Sequence, residues 1–84
     1  MSEQTEVFPK TTSECDLILS SAIMSLENPL RHHRARARRL IEQLYQKKCK
    51  RSLEWIYEKY HLHPDLHVRG LAKEAFEYQK RLER

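Results

Sequence analysis

The stretch that decides the fold runs from Pro29 to Leu44 and reads PLRHHRARARRLIEQL. Its apolar residues recur at the three- and four-residue spacing that places side chains on one face of a helix, and arginines fill most other positions. Proline can open a helix, because its missing N–H would have no partner in the first turn. We therefore expect a helix to begin at Pro29, with Ala37, Ile41 and Leu44 facing a core and the arginines facing away from it.

The sequence before this stretch predicts a short tail and one further helix. Residues 1–10 are polar and aperiodic, which indicates a flexible tail. Thr11 and Glu14 have the spacing of a capping box, so a helix should begin there and end near Asn28, because a proline follows. The rest of the chain, residues 11–84, is then a single helical domain.

The sequence after this stretch predicts one or two further elements before a final helix. The apolar face changes direction near residues 48–52, which favours a break, with Ser52 capping a short third helix. The alternative is one long helix to about residue 61. His63-Pro64-Asp65 is a clear turn, and Pro64 and Asp65 suit the first turn of a last helix. The fold class is all-α, a small bundle of three to four helices.

The last helix carries an apolar seam at spacings of three and four. It is formed by Val68, Leu71, Ala75, Tyr78 and Leu82. The simpler interpretation is the core face of a bundle helix. The other is a homodimer formed through the C-terminal helix.

Composition excludes several classes of protein. No apolar run is long enough to cross a membrane, and the first residues lack a secretory signal, so we expect an intracellular protein, cytoplasmic or located in a nucleoid or nucleus. Its two cysteines, Cys15 and Cys49, should then be reduced thiols, and Cys49 among lysines and arginines is a possible redox switch, although an incidental thiol is simpler. No motif assembles an active site, so we expect neither an enzyme nor a cofactor.

Three histidines resemble part of a metal site. His61, His63 and His67 are spaced so that two imidazoles can share a cation, but no fourth ligand lies nearby in sequence. We therefore expect no metal, and assign these side chains to a surface that pH can influence.

Positive charge is concentrated in one segment. Residues 31–51 hold nine basic residues against one acid, Glu42, while the chain as a whole has a net charge of +4. Guanidinium groups bind phosphate with two hydrogen bonds, so the segment predicts a nucleic-acid partner, DNA or RNA; the alternatives are an acidic protein surface and a merely solvated face. The residues expected to bind are Arg31, Arg34, Arg36, Arg38, Arg39, Lys47, Lys48, Lys50, Arg51, Arg69 and Lys73.

Residues 53–75 resemble the helix-turn-helix of DNA-binding regulators. Ile56, Tyr60 and Leu62 occupy the apolar positions of the first helix and turn, and Leu66 and Leu71 lie near those of the second. The resemblance implies that His63, Asp65, Arg69 and Lys73 lie on or near a helix that enters the major groove. The chain departs from the family at Tyr57, where a small residue is usual, at His61 in place of the turn glycine, and at His67 and Gly70 in place of aliphatic residues.

The tripeptide His63-Pro64-Asp65 also resembles the signature of J-domains, which implies a chaperone partner. Basic residues precede it, as in that family. The tyrosine and leucine motif of the family's first helix is absent, and Leu66-His67 replaces the usual lysine-rich continuation.

Overall fold

The computed structural model describes residues 13–83 and contains four α-helices there. They are α1 (Glu14–Leu26), α2 (Arg31–Gln46), α3 (Lys50–Tyr60) and α4 (Leu66–Leu82). The described residues contain no strand, which confirms the all-α prediction. The expected tail, and Thr11 of the expected capping box, lie outside the described residues.

Side-chain caps define the starts of two helices. The Ser13 hydroxyl accepts from the backbone N–H of Asp16 at the start of α1, 3.2 Å away. Asp65 caps α4, because one carboxylate oxygen accepts from the N–H groups of both His67 and Val68. The expected start of α2 at Pro29 is wrong by two residues, since Leu30 is extended and the helix begins at Arg31.

The break between α2 and α3 is confirmed. Lys48 has a φ of 61°, and its N–H and that of Cys49 donate back to the carbonyls of Tyr45 and Leu44. This is the left-handed C-terminal motif that ends many helices, although a lysine takes the place of the usual glycine. The expectation that Ser52 caps α3 is wrong, because Cys49 occupies the cap position and Ser52 is buried within the helix.

The helices alternate in direction, so α2 and α4 run parallel. The cross-links from α2 to α4 follow this order, from Arg34–Asp65 through Arg38–Glu74 to the stacked rings of Tyr45 and Tyr78. Between the helices lies one core, which includes Ala22, Leu26, Ala37, Ile41, Leu44, Leu53, Ile56, Tyr60, Val68, Leu71, Ala72 and Ala75. Trp55 lies on the outer side of α3, 40% exposed.

A disulfide joins Cys15 of α1 to Cys49 in the turn before α3. The two Cα atoms lie 5.7 Å apart, which is within the range that a bridge spans without backbone movement. The expectation of two reduced thiols is therefore wrong. The residues are 34 apart in sequence, and only the antiparallel packing of α1 on α2 brings them together.

Candidate anion-binding surface

The expectation that the arginines of α2 face away from the core is wrong for Arg34, whose spacing of three and seven residues from Ala37 and Ile41 places it on the buried face. Arg34 is 8% exposed and its Nη2 donates to Oδ2 of Asp65 at 2.9 Å, while Nε donates to the backbone oxygen of Asn28 at 3.3 Å. Because its guanidinium group is already bonded to a carboxylate and a carbonyl, Arg34 is part of the fold and is removed from the binding surface.

Three more of the eleven expected binding residues are held in ion pairs. Arg38 Nη2 lies 2.7 Å from Glu74 Oε2, Lys47 Nζ lies 3.1 Å from Glu14, and Lys50 Nζ lies 3.5 Å from Glu83. These pairs are largely exposed, so each contributes little to stability. They nevertheless neutralise part of the basic segment, and α1 and α4 both supply the acids.

The other seven expected residues are exposed, and none forms an ion pair with a carboxylate in residues 13–83. They are distributed over α2, the turn after it, α3 and α4. Arg36 and Arg39 face outward from α2, and Arg36 lies beside α1. The remaining five are Arg31 near the start of α4, Lys48 and Arg51 near the disulfide, and Arg69 and Lys73 on α4.

All five histidines lie at one end of the bundle, where α2 and α4 begin and α3 ends. Two contacts join the turns at this end: the Arg34–Asp65 pair, and the Tyr60 hydroxyl, which donates to Glu27 Oε2 at 2.7 Å. Burial and this hydrogen bond raise the pKa of Tyr60 above its ordinary value. Within residues 13–83, no three side chains of His, Cys, Asp or Glu are arranged to hold a metal ion.

The helix-turn-helix hypothesis places five residues in apolar positions, and the structure buries three of them, Ile56, Tyr60 and Leu71. Leu62 and Leu66 are instead 80% and 73% exposed. Tyr57, at the position where a small residue is usual, packs against Phe76 of α4. Arg69 and Lys73 do face outward, and both line a groove between α3 and α4.

In the tripeptide that resembles the J-domain signature, His63 and Asp65 form hydrogen bonds within the fold. Asp65 binds Arg34 and caps α4, and its backbone N–H donates to Nδ1 of His63 at 3.0 Å. The Arg34 hydrogen bond, followed by the backbone N–H of His67, lowers the pKa of the Asp65 carboxyl to about 2. These bonds explain the tripeptide as a turn and cap, without a chaperone partner.

The seam of the last helix faces the interior of this chain. Val68, Leu71 and Ala75 are buried, and Tyr78 and Leu82 pack against the core. The interpretation as a bundle core face is therefore confirmed. Val68, Leu71 and Ala75 are covered by helices of the same chain, whereas Tyr78 and Leu82 remain partly exposed.

A groove between α3 and α4 was missed by sequence reasoning. Its lining residues are Tyr57, His61, Leu66, Arg69, Gly70 and Lys73. Of these, the sequence singles out only Arg69 and Lys73 as binding residues, whereas Tyr57, His61 and Gly70 are departures from the helix-turn-helix pattern. The available signal was a glycine inside a helical pattern between two cations, which packing does not require.

Comparisons with protein-family models, with curated proteins and with solved structures find no match for this chain. None of the described helices combines the length and the apolar character needed to cross a membrane.

Proposed function

We propose that this protein is a small non-enzymatic regulator that binds nucleic acid through exposed cations of α2 and α4. The single observation that carries the proposal is the set of exposed arginines and lysines without a carboxylate partner in the described chain, among them Arg31, Arg36, Arg39, Arg69 and Lys73. Folding does not account for Arg31, because it lies in the first turn of α2, at the positive end of the helix dipole, and that turn contains no acid.

The arrangement of these cations favours a long polyanion over a compact acidic ligand. They are distributed over two helices and both ends of the bundle, whose longest extent is 46 Å. A nucleic-acid strand presents phosphates at regular intervals, and each cation can displace condensed counterions wherever it meets one. Binding then depends on the number of phosphate contacts and not on one deep site.

A salt titration of binding tests the proposal. Affinity for labelled duplex and single-stranded oligonucleotides should fall steeply with salt, and the double variant Arg36→Gln/Arg39→Gln should reduce the slope of log K against log salt by about two. The matched control is Lys47→Gln/Lys50→Gln, which removes the same charge from residues that have carboxylate partners. An affinity that does not change with salt concentration, or equal slopes for the two double variants, would overturn the proposal.

The proposal includes an intracellular location, cytoplasmic or with the nucleoid or nucleus, because the partner is found there. The Cys15–Cys49 bridge argues against this location, because disulfides persist in oxidising compartments and are reduced in the cytosol. Trapping thiols in intact cells before lysis therefore tests the location: a reduced Cys15–Cys49 pair agrees with it, and a quantitatively oxidised pair contradicts it.

A second candidate function is supported by the exposed apolar side chains. Leu17 and Met24 on α1, and Leu62 and Leu66 near the groove, are all more than half exposed. A protein adaptor that docks on an acidic protein surface would bury such residues together with the arginines. Light scattering of the purified protein with and without nucleic acid separates the two functions, because a change of mass only with nucleic acid favours the first.

A further inference from the structure

A half-open groove lined by aromatic rings and two cations lies between α3 and α4. Its cavity volume is about 380 Å³, and its walls are formed by Tyr57 and His61 of the α3 side and by four residues of α4. Ligand pockets in proteins begin at roughly 300 Å³. Two features of the groove are unfavourable or unnecessary for folding, and a third, which also belongs to the packing of α3 on α4, suits a planar ligand.

The first feature is Gly70, in the second turn of α4. Glycine inside a helix is less favourable than alanine. A Cβ atom at this position would have no heavy atom within 4 Å beyond the helix itself, and the backbone has no positive φ here. Neither close packing nor backbone geometry therefore requires glycine, and its effect is to leave the floor of the groove open.

The second feature is the pair Arg69 and Lys73, one helical turn apart on the same side of α4. Like charges at this spacing repel, and both lie in the half of the helix nearer its positive end. No carboxylate in residues 13–83 lies within ion-pair distance of either side chain. An anionic group held between them would convert this repulsion into attraction.

The third feature is a stack of flat rings along the groove. Tyr57 stacks with His61 at 4.7 Å between ring centroids and with Phe76 at 4.5 Å. His61 Nδ1 lies 2.9 Å from the backbone oxygen of Tyr57, so in the neutral imidazole Nδ1 carries the proton and Nε2 remains an acceptor. The stack therefore presents a flat apolar surface with one hydrogen-bond acceptor at its end.

We infer that this groove binds one unpaired nucleotide, with the phosphate between Arg69 and Lys73 and the base against His61 over Gly70. The inference rests on the proposed nucleic-acid binding and adds to it a preference for single strands. The chemistry is that of a nucleoside phosphate, a planar base next to an anion. It can be supplied by a free nucleotide or by a nucleotide within a strand.

A pair of substitutions at Gly70 tests the groove without removing any contact. Gly70→Leu fills the open space, while Gly70→Ala adds a single methyl group, and both should maintain or raise the melting temperature. In fluorescence anisotropy with a single strand of about ten nucleotides, Gly70→Leu should weaken binding about tenfold and Gly70→Ala should leave it unchanged. The wild-type protein should prefer the single strand to its duplex.

Charge variants and competitors complete the test. Arg69→Gln and Lys73→Gln should each weaken single-strand binding, whereas Lys59→Gln, outside the groove, is the control for an equal loss of charge. Competition by adenosine monophosphate would show that the groove accepts free nucleotide, and strand binding without competition would show that it needs the strand. Both results agree with the inference.

Other outcomes overturn it. If Gly70→Leu binds the strand as tightly as the wild type, or the duplex is preferred, no nucleotide enters the groove, although salt-sensitive binding would still uphold the proposed function. Polyglutamate and a nucleotide polymer of equal charge can be compared as competitors of the strand. If polyglutamate displaces the strand equally well, the groove recognises an acidic peptide, and the inference of a nucleotide site is overturned. If neither single strand nor duplex binds, the proposed function and the inference both fail.

Discussion

Arg34 of α2 bonds to Asp65 at the start of α4, with 2.9 Å between Nη2 and Oδ2, and through Asp65 it orients the cap of that helix. The same guanidinium group reaches the backbone oxygen of Asn28 in the turn after α1. One arginine therefore joins three helices at the histidine-containing end of the bundle. A residue that the sequence assigned to nucleic acid is instead a structural element.

Replacing Arg34 should destabilise the fold, whereas replacing an exposed neighbour should not. Arg34→Gln loses buried charged hydrogen bonds, and we expect a decrease in the free energy of unfolding of about 2 kcal/mol. Arg36→Gln, the matched control on the same helix, should stay within about 0.5 kcal/mol of the wild type. Urea denaturation of both variants measures the difference, and equal midpoints would show that Arg34 is not part of the fold.

Stability should decrease between about pH 4 and pH 2 because of Asp65. The pKa of this carboxyl is lowered from its ordinary value of 3.8 to about 2 in the folded chain. A carboxyl with a lowered pKa stabilises the fold above its unfolded pKa and loses that contribution as the pH falls through the folded value. Melting temperatures measured across this range should fall less steeply for Asp65→Asn than for the wild type; parallel curves would rule out the contribution.

Reduction of the Cys15–Cys49 disulfide should destabilise the protein without abolishing its helices. A bridge that closes a loop of this length restricts the unfolded chain and contributes about 2–4 kcal/mol. Urea midpoints with and without a reductant measure the loss. The double variant Cys15→Ser/Cys49→Ser should have the urea midpoint of the reduced protein, and the reductant should not change that midpoint. Two titratable thiols in the purified, oxidised protein would contradict the bridge.

A glutamate should unfold the protein at one leucine of α4 and leave its stability unchanged at another. Leu71 is 3% exposed and Leu66 is 73% exposed. Leu71→Glu buries an unpaired carboxylate and should cost more than about 3 kcal/mol, so the chain should unfold and not merely change its oligomeric state. Leu66→Glu should retain the wild-type circular dichroism and melting temperature. A folded Leu71→Glu protein of halved mass would instead support a dimer through this helix.

The sequence by itself determined the class of fold and most of the helix pattern. The periodicity of Ala37, Ile41 and Leu44 predicts the buried face of α2, and the turn at His63-Pro64-Asp65 predicts the start of α4, because spacing and capping are local properties of the chain. The break between α2 and α3 follows for the same reason, since a change in the direction of an apolar face is visible without any tertiary contact.

Only the tertiary structure decided which charges are free and which residues share a site. Helical spacing already separates Arg34, which lies three residues before Ala37 on the buried face of α2, from the exposed Arg36, but only the fold supplies its partner Asp65 from the start of another helix. The pairing of Cys15 with Cys49, and the groove of Tyr57, Gly70 and Lys73, likewise depend on contacts between distant segments. Helical spacing fixes the direction of a side chain on its own helix, but its partner is set by how the helices pack against one another.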